Sequence, residues 1–375
     1  MFSQNTVEIL YGLSNEKFIF EGVHHAQKFC ILAFKKGGIT ERFESAFRIN
    51  PREAVSSDKL DAFFHNRDEH VNLSRELIGR LSPDSLSVME FRSELDVRIA
   101  EKMLRFPLLG EEIPEAWNVT FYREFDMTNA SHLFHESPGK GRLPLYEGKM
   151  IWHFEHRYAE PRYWVDEKEG RQALLGRHDE LGQKLDYQCY RFGFRDIASN
   201  TNERTAITTI IPPTFHGNKI PTARIYDEFG NRLIGNSEQL YLCVVANSFV
   251  FDFMIRMRVT TTLNFFYLYQ MPVPRFDMDI DVGISLTSRA AKLICTTPEF
   301  DELAKEIGLK SHKHGVNDPA KRAQLRAELD GLVAHLYGLT EVEFGHVLST
   351  FPLVPDPVKI AAQNAYRDVA KGLVK

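Results

Sequence analysis

Five arginines stand where their spacing gives them chemistry to do. Arg191 and Arg195 lie four apart in a run rich in aromatic residues, so on a strand they share a face, and Arg204 follows after a polar turn. Arg256 and Arg258 close an apolar helical run, beside the hydroxyls of Thr260, Thr261 and Thr262 and the amide of Asn264. Upstream, Lys149, His153 and Arg157 belong to a segment that alternates apolar and polar residues over part of its length. Guanidinium, hydroxyl and amide groups are what phosphate positioning and base-edge readout use. One arrangement has the turn from Arg256 to Asn264 gripping a backbone of phosphates while the 149–157 hairpin reaches a groove. A plainer reading stays open for each arginine, as a solvated or ion-paired surface residue. Asp196 is one candidate partner, and Glu203 stands beside Arg204, although adjacent strand residues face opposite sides.

Other chemistries find less support. His153 with His156, His24 with His25 and His312 with His314 are pairs that lack a third ligand nearby, so no metal is expected. No serine is framed by the glycines of a nucleophile elbow, and no acidic-lysine cluster of nuclease type stands in clear context. No catalytic residue is assigned. Cys30, Cys189, Cys243 and Cys295 lie far apart among apolar neighbours, as buried thiols of a reducing cytosol do.

The elements that must hold these residues follow from periodicity. Residues 18–23 and 28–34 are short apolar runs joined by a polar link, and the sequence predicts an antiparallel hairpin at the edge of a mixed sheet. From 50 to 110 the pattern is helical; Ser82 and Pro83 begin one helix, with Phe91, Leu95, Ile99 and Leu104 along its apolar face. Strand-like runs at 149–156, 187–194 and 204–211 come next, by their aromatic and β-branched content. A helix is expected from Gln239 to about Arg258, and its Asn247, Asp252 and Arg256 make a buried helix the better reading than a membrane span. Helices resume after Ser288. In the run RAELDGLVAHLYGLTEVEF, 326–344, Leu329, Leu332, Val333 and Leu336 share a face, with Arg326, Glu328 and Asp330 largely off it. Gly338 then stops the helix, and Thr340 with Glu343 begins another as a capping box.

A chain of 375 residues forms two or three domains. With 43% hydrophobic and 26% charged residues it is globular, with ample material for a core. The net charge of -5 excludes a wholly basic nucleic-acid binder but not a local basic face. The first ten residues carry Gln4, Asn5 and Glu8 where a secretory signal needs an apolar run, so a cytoplasmic protein without membrane attachment is expected.

Four ordered segments resemble one protein family. The 326–344 run is similar to the closing segment of large adenine-specific DNA methyltransferases with fused target-recognition domains, of type IIG and related restriction and phage-defence systems. LYEGKMIWHFEHRY at 145–158 resembles the entry into their target-recognition domain, and YRFGFRDIA at 190–198 with TNERT at 201–205 its central strand pair. NSFVFDFMIR at 247–256, TTTLN at 260–264 and MPVP at 271–274 resemble its final helix and strand. The resemblance implies an α+β chain in four parts. These are the tail of a methyltransferase-like mixed α/β sheet at 1–50, a helical connector at 51–115, a strand-rich target-recognition domain at 116–285 and C-terminal helices at 286–375. It also implies double-stranded DNA as partner, N6-adenine as the methylated position and S-adenosylmethionine as cofactor of the complete enzyme.

The family's Asn-Pro-Pro-aromatic tetrapeptide and Gly-containing cofactor loop are missing here. Ile211-Pro-Pro-Thr214 lacks the asparagine and the aromatic residue, and Asn50-Pro-Arg52 breaks at its third position. The expectation is therefore a recognition module with no cofactor of its own, whose catalytic half is a missing portion or a separate chain. The alternatives are one half of a split methyltransferase, active with a partner, and an inert truncated remnant.

Overall fold

The computed structural model describes residues 2–49, 51–83, 86, 88–176, 178, 180–199, 201–259 and 261–375, with the Arg52 side chain also excluded. The chain is an α+β protein of two compact units, 1–105 and 106–375.

In the first unit, β1 (Asn5–Ser14) carries Val7, Ile9, Tyr11 and Leu13 at the two-residue period of a half-buried strand. It pairs antiparallel with β2 (Lys28–Lys36), Tyr11 opposite Ile31, and parallel with β3 (Arg42–Arg48), Tyr11 opposite Ala46. A fourth strand, β4 (Val71–Ser74), pairs antiparallel with β3, so the sheet is mixed, in the order β2-β1-β3-β4. Helices α1 (Leu60–His65), α2 (Arg75–Leu81) and α3 (Glu94–Met103) complete the unit. Tyr11, Leu13, Ala46, Val55 and Phe63 form one core cluster. Gly12 has no side chain because the Phe47 ring lies 2.8 Å from where its Cβ would be.

Three expectations change here. Residues 18–23 form a loop, not a strand, because the Asn15 amide takes over their backbone groups, donating to Phe20 O and Val23 O and accepting from Phe20 N–H. The hairpin partner of β2 is β1 instead. Cys30 is exposed on β2, while the other three thiols are buried. Helix α3 begins at Ser93, not Ser82, since Ser93 and Asp96 close a capping box there.

Among the described residues the second unit has eight short strands: β5 (Phe121–Tyr122), β6 (Phe134–His135), β7 (Arg142–Tyr146), β8 (Tyr163–Asp166), β9 (Arg191–Phe194), β10 (Thr208–Ile211), β11 (Phe215–His216) and β12 (Thr222–Ala223). They make two sheets, ordered β10-β9-β12-β5 and β11-β7-β8-β6. Helix α4 (Glu167–Leu175) follows β8. The apolar run after residue 235 is two helices, α5 (Asn236–Asn247) and α6 (Phe249–Arg256), bent by 65°. Ser248 breaks the run by turning its side chain to cap Phe251 N–H. Both helices are apolar on nearly all faces and buried, as a core pair is. Among the described residues no single helix is long and apolar enough to cross a membrane.

Helices α7 (Phe265–Tyr269), α8 (Asp281–Ile294), α9 (Asp301–Glu306), α10 (Pro319–Leu336), α11 (Glu341–Ser349) and α12 (Asp356–Ala370) close the unit. In α10, Leu329, Leu332 and Val333 are buried, and Gly331 lets the backbone of Ala365 on α12 come within van der Waals reach. Gly338 takes φ +67° after α10, and the Thr340–Glu343 capping box starts α11. Asp330 departs from the expectation. It is buried, and its carboxylate accepts the N–H of Phe249, at the first turn of α6.

Candidate nucleic-acid interface

The expected strand at 149–156 is a tight turn. Trp152 and Glu155 exchange backbone hydrogen bonds of 2.8 and 3.0 Å, and Phe154 sits at φ +58°, an unfavourable value for a side chain of its size. His153 is turned inward by this turn. Its Nε2 lies 2.8 Å from Ala206 O, and burial holds its pKa well below the usual imidazole value, so the ring is neutral. It therefore does not face a groove.

Two of the arginines expected to meet DNA are also interior. Arg191 is fully buried, where its guanidinium meets Glu124, Tyr122 OH at 3.0 Å and Thr214 O. Glu124 in turn accepts His216 N–H at 2.8 Å. Arg204 is 7% exposed; its Nε lies 2.7 Å from Asp252 Oδ2, and its plane is 4.3 Å from the Phe249 ring centre. Thr205 N–H donates to the same carboxylate at 3.0 Å. Arg256 approaches that carboxylate at 3.9 Å from its other side, while donating to Thr350 O and Asn202 O and lying over Phe351. Arg258 donates to Gln270 Oε1, and burial draws its pKa down to about 10. These contacts tie α6 to its surroundings, so the arginines at its end are structural.

The remaining sites are on the surface. Lys149 is exposed and 3.2 Å from Glu147, and Arg157 is exposed and 3.9 Å from Glu299. Thr261 and Asn264 are exposed and Thr262 half-buried; Thr260 lies outside the described residues. Arg195 is half-buried, donating to Ile151 O with its guanidinium 4.9 Å from the Trp152 ring centre. Trp152 stacks on the exposed Tyr158 at 5.3 Å.

What joins these groups is Asp196, whose side chain is 3% exposed. Its Oδ1 accepts from Arg123 at 2.7 Å and its Oδ2 from Lys219 at 3.1 Å, while those side chains remain 34% and 52% exposed. Arg123 also donates to Asn218 O and lies 4.4 Å from the Phe265 ring centre. The backbone of Asp196 accepts Leu263 N–H, Ala198 N–H donates to Thr261 O, and Ile197 bridges Thr262. The turn 261–264 is thus fastened beside the two cations, with Ile197 67% exposed next to it. On the other flank, Gly148 lies so close to Lys219 O that a Cβ would stand 2.6 Å away, which brings the Lys149 backbone alongside Lys219 and Arg195. Exposed Asp126, hydrogen-bonded to Asn218, marks the patch's acidic edge.

Arg123, Lys219, Tyr158 and Ile197 escaped the sequence reading. No spacing marks them, since Arg123 meets Asp196 across 73 residues and Lys219 across 23. The possibility raised for Asp196, pairing with an arginine, is realised through Arg123 and not Arg195. Among the described residues, no group of three or more metal-ligating side chains converges. His156 of one expected pair is bracketed by Tyr146 OH at 2.9 Å and Thr297 Oγ1 at 3.1 Å.

No family model matches the sequence, and no curated relative is found. Among solved structures, the chain aligns with the type IIG restriction endonuclease BpuSI at 12% identity and a TM-score of 0.35, over 88% of this chain and 44% of that one. It aligns with the type IIL restriction-modification enzyme MmeI, solved in complex with DNA, at 8% identity and a TM-score of 0.38, over 93% and 46%. The chain spans less than half the length of either protein.

Proposed function

We propose that this chain is the DNA target-recognition module of an adenine-specific (N6) DNA methyltransferase or restriction-modification protein. The observation that carries the reading is the patch around Asp196. There a buried carboxylate aims two partly exposed cations outward, beside the hydroxyl and amide turn at 261–264. Arg123 and Lys219 take the phosphate-positioning role in place of Arg256 and Arg258, whose side chains are tied to the protein itself. In this reading Lys149 and Arg157 serve base-edge readout, Thr261, Thr262 and Asn264 join the two cations on the phosphate backbone, and Tyr158 and Ile197 offer apolar contacts to bases or sugars. All lie within 116–285, the stretch assigned to target recognition.

In this reading the chain binds double-stranded DNA and leaves methyl transfer, with S-adenosylmethionine, to a catalytic half or subunit. The experiment is a titration of labelled duplexes of random and mixed sequence, followed by anisotropy across a salt series. Affinity should fall steeply with salt, by close to 0.9 log units per log unit for each phosphate engaged. A well-folded chain that binds no duplex at low salt removes the proposal.

A second reading, one half of a split methyltransferase, is favoured by β2. It is a nine-residue outer strand whose Ile31, Leu32 and Phe34 are all exposed, and such an edge invites another strand. Transfer of labelled methyl groups to DNA on adding a chain with the missing motifs distinguishes the two.

A further inference from the structure

Behind the Trp152–Phe154 turn lies a cavity of about 280 Å³. Its floor is formed by Val244 on α5, Phe249 on α6 and Leu329 on α10, all buried. Its mouth lies where α10 and α12 meet, at the exposed Ala323, Val358 and Ala361. Protein interiors are packed to the density of organic crystals, so a hollow this large with mainly apolar walls is of the kind that receives a ligand. Small residues keep it open: Ala323 and Ala327 are one turn apart on the same face of α10, and Ala361 lines it from α12.

The polar groups around the cavity are not equivalent. Arg204 is held by Asp252 and Asn247 O, His153 by Ala206 O, and Asp330 by the Phe249 N–H. Glu203 is exposed at the rim. Arg326 differs. It precedes Asp330 by one turn on the same face of α10, close enough for its charge to act on that carboxylate, and is half-buried, yet among the described residues its side chain makes no hydrogen bond or ion pair. A guanidinium offers five donors in a rigid fork, and leaving them half-buried without an acceptor is costly. A carboxylate matches that fork with two parallel bonds.

We infer that this cavity binds a small apolar carboxylic acid. Its hydrocarbon body lies against Val244, Phe249 and Leu329, and its carboxylate meets Arg326. The inference stands apart from DNA binding, although Trp152 belongs to both regions, lining the cavity and stacking on Tyr158.

The test is isothermal titration calorimetry of the full chain with octanoate and 4-phenylbutyrate, with 1-octanol as the uncharged probe. At least one acid should bind saturably at a single site, and octanol should bind about tenfold more weakly or worse. Arg326→Gln should lower acid affinity by about tenfold or more and leave octanol unchanged. Ala361→Phe, at an exposed position on the mouth, should abolish binding of both, and Ala327→Phe should do the same from within. Circular dichroism confirms that each variant is folded; Ala361→Phe keeps the test available if Ala327→Phe is not. The inference is overturned if neither acid binds saturably. It is equally overturned if acid affinity survives Arg326→Gln or Ala361→Phe unchanged.

Discussion

Asp252 and Asp196 each hold two cations, yet they build opposite things. Around Asp252, Arg204 and Arg256 are 8% and 10% exposed, with the rings of Phe249 and Phe351 against them. Around Asp196, Arg123 and Lys219 are 34% and 52% exposed. In the first case the carboxylate neutralises charges that are mostly shielded from water, so the three groups lock α6 to its neighbours. In the second, the cations stay hydrated while the carboxylate fixes their direction. An arginine in a nucleic-acid-like sequence context therefore says little until the exposure of its ion-pair partners is known. The residues that look most like readers of phosphate are, in this chain, mostly struts.

The largest expected effect breaks the interior member of that comparison. Asp252→Ala leaves the Arg204 guanidinium and the Thr205 N–H without this acceptor and removes the carboxylate beside Arg256, and should cost about 3–5 kcal/mol in urea unfolding. A loss of less than about 1 kcal/mol would show the Asp252 site to be as well hydrated as the surface one, and the distinction would fail.

Asp330 sharpens the comparison, because it is a buried carboxylate with a helix N–H as its partner and, among the described residues, no cation within ion-pair distance. Burial pushes its pKa from 3.8 up to about 6. A raised carboxyl pKa means the folded state favours the protonated form. That contribution is complete below pH 3.8 and is lost as pH rises through 6. Asp330→Asn should thus match the parent chain near pH 4 and exceed it in stability above pH 7, by about 3 kcal/mol at most. Urea midpoints at pH 4 to 8 measure this, and a difference independent of pH would rule out the titration.

How much of this was legible in the sequence depends on the range of the interaction. The Thr340–Glu343 capping box and the Gly338 stop are written within a few residues and can be read directly. The break at Ser248 was also local, but a serine inside an apolar run is easily taken as a tolerated polar residue. Asp330 is not legible in this way, because helical periodicity assigns a face and only tertiary packing brings the α6 N-terminus to meet it. The β1–β2 pairing was displaced because Asn15, 13 residues before Lys28, satisfies a loop whose composition reads as strand. Asp196 and the 261–264 turn are visible in the sequence, but the two cations they meet are not, since Arg123 and Lys219 arrive from two distant loops.

At the surface site, Asp196→Ala should cost only about 1 kcal/mol, since Arg123 and Lys219 retain water. It also removes a negative charge from the patch, so affinity for random duplex at low salt should hold or rise. A marked drop would mean that the carboxylate's aim matters more than the charge it cancels.

Arg123→Ala should have the smallest effect on folding and the most diagnostic effect on binding. The side chain contributes one partly exposed ion pair, one bond to Asn218 O and a ring contact with Phe265, together worth about 1 kcal/mol or less. If it meets a phosphate, the slope of log affinity against log salt should become shallower by about 0.9, equally for every duplex sequence. Arg367 provides the control. It is an exposed arginine on α12 paired with Glu341, and Arg367→Ala should change neither quantity. A slope unchanged by Arg123→Ala, or changed as much by Arg367→Ala, would mean that a diffuse field and not the Asp196 patch meets DNA. In that case, the outward aim of Arg123 would be a feature of folding alone, and the two carboxylate sites would differ in exposure without differing in purpose.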